Sequence, residues 1–155
     1  ISEFLRYSLV EGKNNLVQLS REIEIIELYL EIEKIRFNED LVVSFNIDPK
    51  TKDFQIPVFL IHPLVENAVK FGMQTSSLPL RISIKTLSVN GDILIEVSNS
   101  GNLYQVKGTE LFESTNTGLS NIRKRLELCF PGKHDFDIIQ EDGFVIAKIV
   151  INNIQ

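Results

Sequence analysis

A single cysteine in 155 residues, Cys129, allows no internal disulfide, which fits a reducing, cytosolic compartment. It lies on an apolar helical stripe and reads as a core thiol rather than a nucleophile. No run of 18 apolar residues occurs, so no stretch reads as a membrane-spanning helix. No secretory signal opens the chain; it begins in mid-pattern with Ile1-Ser-Glu-Phe-Leu-Arg-Tyr7. That start is expected of a piece of a longer protein, whose other parts would carry any membrane anchor. Basic charge is also scarce. Sixteen Lys and Arg face 21 Asp and Glu, a net charge of -5, which argues against a nucleic-acid-binding surface. Internal repeats and low-complexity tracts are absent. What is present is a 43% hydrophobic composition, enough at this length for one domain with a real core and a short appendage.

Residues 1–9 read as a short helix with Phe4, Leu5 and Leu9 on one face, broken at 12–15. Ser20 reads as an N-cap, with Glu22 and Glu24 in the first turn of a helix running to Arg36. Its apolar residues, among them Ile25, Leu28, Tyr29, Ile32 and Ile35, exceed one stripe. Such a helix packs on two sides, against its own domain and a neighbouring helix or subunit, or lies wholly in a core. Leu41 to Ile47 alternates as a strand and closes at Asp48-Pro49-Lys50. A helix follows from Pro57, bent by Pro63 and stopped by Gly72. Two alternating runs flank Asn90-Gly91, and two more, 135–140 and 144–151, flank Asp142-Gly143; both are hairpin signals. Residues 101–117 show neither period and read as a functional loop or lid. Thr117 to Cys129 reads as a helix, with Leu119, Ile122, Leu126 and Cys129 inward and Arg123, Lys124, Arg125 and Glu127 outward. Hairpins require a mixed or antiparallel sheet, and amphipathic helices need a face to cover. The expected architecture is α+β, a two-layer sandwich with helices on one face of a mixed sheet and a helical segment before it.

Three stretches could carry chemistry. In the helix of 57–72, Leu60, Ile61, Leu64, Val65, Ala68 and Val69 share one arc at 100° per residue, and His62, Glu66, Asn67 and Lys70 share the other. An amide, a carboxylate and an ammonium within about one turn suit a metal–phosphate group. The same set also suits an ordinary solvated face. Val97-Ser-Asn-Ser-Gly101 ends a strand at a glycine that permits close approach of a ligand. Asn116-Thr-Gly-Leu-Ser-Asn121 is a small-residue turn opening a helix, where N–H groups and the dipole favour anions.

Taken together, these stretches resemble the N, G1 and G2 boxes of the GHKL ATPases (the Bergerat-type ATP-binding fold), and more narrowly the LytS-type sensor histidine kinases. The likeness extends over Leu5-Arg-Tyr-Ser-Leu9, Glu27-Leu-Tyr-Leu-Glu-Ile-Glu-Lys-Ile-Arg-Phe37, Ile56-Pro57, Pro63-Leu-Val-Glu-Asn-Ala-Val-Lys70 and Thr117-Gly-Leu-Ser-Asn-Ile-Arg-Lys-Arg-Leu126. The resemblance implies ATP and Mg²⁺ as cofactors, with Asn67 on the metal and Lys70 on the phosphates. Glu66 would be the catalytic carboxylate, activating a water or orienting the incoming imidazole. Asn99 and Gly101 would hold the base, residues 102–116 would form the lid, and Thr117, Gly118 and Leu119 would contact the triphosphate. It further implies transfer of the γ-phosphoryl group to a histidine upstream of Ile1, then to a response regulator. Residues 1–38 would end the dimerisation region of a homodimer and 39–155 would be the ATP-binding domain. The chain would then be the cytoplasmic part of a membrane-anchored protein.

The pattern is departed from at four named positions, and a threonine usual near the last hairpin is also absent. Asn99 stands where the family has Asp, Leu103 and Asn116 where it has Gly, and Phe71 where it often has His. The first implies weaker nucleotide binding. These departures keep two other readings open: a non-catalytic dimerisation and signal-relay module, and a simple ATPase. Neither His62 nor His134 is a good phosphoacceptor. His62 reads as structural or at the pocket rim, and His134 as solvated.

Overall fold

The two hairpins frame the molecule. In the computed structural model, β4 (Leu80–Val89) and β5 (Asp92–Ser100) pair antiparallel, as do β6 (His134–Glu141) and β7 (Phe144–Ile151). Both turns use two successive residues of positive φ, Asn90-Gly91 and Asp142-Gly143, the geometry that matches the twist of the flanking strands. The structure describes residues 16–103 and 110–152, with side chains at 16–103 and 119–152. The expected helix over residues 1–9 lies outside this range.

β5 joins the hairpins by pairing with β7, and β2 (Leu41–Ile47) adds parallel to β4. This gives a five-stranded mixed sheet in the order β2-β4-β5-β7-β6. Its inner face alternates as a half-buried sheet should. Leu80, Ile82 and Ile84 on β4, Ile93, Ile95 and Val97 on β5, and Ile149 and Ile151 on β7 are all buried. A second ribbon pairs β1 (Leu16–Gln18) with β3 (Gln55–Pro57), and no sequence signal marked β1.

Helix α1 (Leu19–Phe37), α2 (His62–Thr75) and α3 (Glu110–Cys129) complete the core. α1 buries Leu19, Ile23, Ile25, Ile26 and Leu30 in the same cluster as the sheet, while Leu28, Ile32 and Ile35 are exposed. α2 lies over β4 and β5, and α3 meets α2, β3 and β6. Leu64, Val65, Ala68 and Val69, with Ile122 and Leu126, supply the buried faces of α2 and α3. Each fully buried Leu or Ile contributes roughly 1.5–3 kcal/mol, so the core holds the sheet and all three helices as one packed unit.

Several expected boundaries move, each for a physical reason. α1 begins at Leu19, and Gln18 provides no side-chain cap. Instead Leu19 and Ser20 donate to the carbonyls of Phe54 and Lys52. Pro57 ends a strand, and α2 starts at His62 with Pro63 in its first turn. There the missing N–H costs nothing, so Pro63 does not bend the helix. α2 continues past Gly72 to Thr75. α3 starts at Glu110, not Thr117, so residues 110–116 are helical where a lid was expected; 104–109 lie outside the described residues. Arg125 is half-buried rather than outward.

Candidate functional site

The start of α2 is held from outside. Phe59 has φ +59°, a strained conformation for a bulky side chain. Its N–H donates to Glu22 Oε1 at 2.9 Å, and the N–H groups of Ile61 and His62 donate to Glu22 Oε2 at 2.6 and 3.4 Å. The Arg125 guanidinium donates to the Phe59 carbonyl at 2.7 Å. Glu22 is fully buried. A carboxylate from α1 therefore caps α2, satisfying donors that a helix start leaves open and complementing its dipole.

One and two turns on, the polar face emerges. Glu66 and Lys70 are exposed and Asn67 is half-buried, so this trio is presented as the spacing predicts. Lys70 Nζ lies 5.0 Å from the Phe71 ring centroid. His62 differs: it is 1% exposed, packed against Tyr29 at 4.9 Å and edge-on to Phe59 at 5.8 Å. Its Nδ1 is 3.4 Å from Glu66 Oε1. Tyr29's hydroxyl pKa is pushed upward by burial first, then by the negative charges of Glu33 and Glu66.

The far end of α2 rests on β5. Asn99 continues the inward series Ile93, Ile95, Val97 and is 6% exposed, so a polar side chain occupies a core position. Its Nδ2 donates to the Ser100 carbonyl at 2.9 Å, which assigns Oδ1 as the acceptor. A Cβ on Gly72 would lie 3.2 Å from Asn99 Nδ2 and 2.5 Å from Leu80 Cδ1. Gly101 has φ +121°, and a Cβ there would strike Thr75 Oγ1. The Thr75 hydroxyl accepts from Asn102 N–H, and Leu103 N–H donates to Gln140 Oε1. Gly72 and Gly101 thus let helix and strand close on Asn99 without intervening side chains.

Glu66, Asn67, Lys70, Asn99 and Gly101 fall along one helix and the strand end beneath it. Five residues from Asn67 to Gly72 are about 7.5 Å of helix. Thr117, Gly118 and Leu119 fall inside α3, seven to nine residues past its first. Their N–H groups are not those of a helix start, which corrects the expected anion-binding turn; Leu119 is buried. Sequence reasoning missed Glu22, Tyr29 and Arg125 as supports of this site. Among the described residues no cluster of three or more His, Cys, Asp or Glu could hold a metal ion. A lone amide oxygen at Asn67 suits a magnesium ion that keeps its waters and arrives bound to phosphates.

The chain as a whole is similar to known proteins. A protein-family profile described as "Histidine kinase" matches residues 1–41. The sensor histidine kinase YesM of Bacillus subtilis (strain 168) is 30% identical over 127 residues, which are 82% of this chain and 22% of YesM. The sensor protein LytS of Staphylococcus saprophyticus is 30% identical over 138 residues, 84% of this chain and 23% of LytS. This chain's relatives are LytS-type sensor histidine kinases. The chain spans less than a quarter of these two relatives' lengths. Among solved structures, the catalytic domain of histidine kinase ThkA has TM-score 0.64 at 18% identity, covering 89% of this chain and 94% of that one. ThkA solved in complex with the response regulator TrrA has the same TM-score at 19% identity, covering 89% of this chain and 41% of that one. The fold is that of histidine kinase catalytic domains, of the GHKL type. No described helix is long and apolar enough to cross a membrane.

Proposed function

We propose that this chain is the ATP-binding catalytic domain of a two-component sensor kinase, acting on a histidine upstream of Ile1 and, through it, on a response regulator. Residues 39–155 are the nucleotide-binding unit, and 1–38 end the dimerisation region through which the full-length protein pairs with a second copy. α1 then has two roles, since its Glu22 side also seats α2. The intact protein is membrane-anchored, with this part in the cytoplasm.

One observation carries the reading: a single helix bears Asn67 and Lys70 on its open face and closes through Gly72 onto a buried Asn99. Asn67 would hold Mg²⁺ through its amide oxygen, and Mg²⁺ when bound supplies charge neutralisation along the phosphates. Lys70 places an ammonium on phosphate oxygens as a point charge. Asn99 Oδ1 accepts from the adenine amino group, without the charge an aspartate would bring, and Gly101 leaves room for the purine. Glu66, exposed one residue before Asn67, would orient the attacking imidazole. Phosphoryl transfer asks chiefly for such positioning and charge.

The experiment is incubation with γ-labelled ATP, alone and with a peptide spanning the upstream acceptor helix. Label on the acceptor histidine, dependent on Asn67, is the expected result. Stable label on this chain alone would overturn it. The complex of ThkA with TrrA supports a response-regulator partner.

A further inference from the structure

Glu66 has a support in the buried residue one turn before it on the same face. An exposed glutamate on a helix samples several rotamers, each cheap to leave. Here the residue one turn before it is a buried imidazole whose orientation is fixed from two other directions. Tyr29 of α1 packs at 4.9 Å with planes tilted 59°, and Phe59 meets the ring edge-on at 90°. The backbone of His62 is itself seated by Glu22, and Glu22 and Tyr29 stand seven residues apart on one side of α1. With the ring locked, Nδ1 faces Glu66 Oε1 at 3.4 Å, in the i, i+4 relation that brings helix side chains together.

We propose that His62 is the positioning residue for the Glu66 carboxylate, and that Tyr29 and Glu22 transmit the seating of α1 to that carboxylate through it. The inference rests on the reading of Glu66 as acting at the phosphoryl group. It gives α1 a physical route to the reaction. A shift of α1 along or about its axis displaces Tyr29 and the capped turn together, turns the imidazole, and frees the Glu66 carboxylate to leave its rotamer while leaving Asn67 and Lys70 on their own turns. Phosphoryl transfer would fall while nucleotide affinity held.

Two arms test this, the first on the full-length protein, and the second stands even if the kinase reading fails. In the first, His62→Ala, His62→Gln and Tyr29→Leu are compared for Mg-ATP affinity and turnover. The expected pattern is a fall of up to about a hundredfold in kcat for His62→Ala with KM within about twofold, the cost of misplacing a reacting group by about 1 Å. Tyr29→Leu should be intermediate, and His62→Gln should recover, because its amide can donate to Glu66 from a similar reach. Unchanged kcat in His62→Ala, or no recovery by His62→Gln when it folds, would overturn the proposal.

The second arm uses ¹⁵N-histidine spectra of this chain, whose two histidines are separated by His134→Gln. His62 should carry a proton on Nδ1, and that resonance should shift in Glu66→Gln. A His62 bare at Nδ1, or one indifferent to Glu66→Gln, would overturn the contact itself. Absence of nucleotide binding with the Nδ1 shift intact would instead count against the kinase reading and leave the His62–Glu66 pair standing.

Discussion

The two ends of α2 are built by different means. At its start, the chain is held by polar groups reaching in from distant elements: Glu22 of α1 on three N–H groups and Arg125 of α3 on the Phe59 carbonyl. At its end, the helix is held by the lack of side chains, with Gly72 and Gly101 letting backbone approach β5 and Asn99. The first arrangement makes the end proposed to meet the phosphates depend on where α1 and α3 sit. The second ties the other end, where the proposed site would hold the base, directly to the sheet.

The largest break should come at the capped end. Glu22→Ala removes the carboxylate that the N–H groups of Phe59, Ile61 and His62 donate to, at a cost of about 3 kcal/mol or more in denaturant unfolding. Glu22→Gln keeps one acceptor and should lose about half as much. A loss under about 1 kcal/mol would show that the cap is replaceable by water. At the other end, Gly72→Ala pushes a methyl onto Leu80, which is fully buried and cannot swing aside. Overpacking of about 1–3 kcal/mol is offset by roughly 1 kcal/mol of helix propensity, so unfolding should weaken by about 1 kcal/mol. Its larger effect should be on the base pocket, seen as weaker nucleotide binding with the His62 spectrum unchanged.

Asn99→Asp sharpens the comparison in the opposite sense. A charged acceptor in place of a neutral one is worth about 1 kcal/mol more, or about fivefold tighter Mg-ATP binding, read by titration calorimetry. Turnover per bound nucleotide should stay the same, since Glu66 and His62 lie at the other end.

The smallest effect lies away from both ends. Asp48 accepts from the N–H groups of Ser88 and Lys50, and these bonds lower its carboxyl pKa below the ordinary value. A depressed folded pKa means stability that is present above the usual carboxylate range and lost as pH falls through the folded value. Asp48→Asn should therefore lower Tm slightly at neutral pH and flatten the acid limb of Tm against pH. An unchanged acid limb would remove Asp48 from the account.

The end of α2 that rests on the sheet could be read from the chain itself. Both hairpin turns follow from Asn-Gly and Asp-Gly, the inward series of β5 from its alternation, and the core face of α2 from its apolar spacing. Asn99 is visible too, as a polar residue where that alternation demands an apolar one. The capped end could not be read. The partner of the Ile61 N–H is Glu22, 39 residues earlier, and helix-start signals describe only neighbours. A helical wheel puts His62 with the polar residues, yet Tyr29 and Phe59 cover it, and no local rule anticipates a cover from another helix. α3 begins at Glu110 for the same reason, since the period is weak over 110–117 and tertiary context outranks propensity. The resemblance to kinases points to Asn67 and Lys70, but no box contains Glu22, Tyr29 or Arg125 in the role each has here.

The central claim is that α2 joins these two ends into one nucleotide site. Calorimetric titration of the chain with ATP, with and without Mg²⁺, in wild type and Asn67→Ala, tests it most directly. The account predicts saturable submillimolar binding that weakens when Mg²⁺ is withheld and loses that Mg²⁺ dependence in Asn67→Ala. No binding at millimolar nucleotide, or binding indifferent to both Mg²⁺ and Asn67, would contradict it.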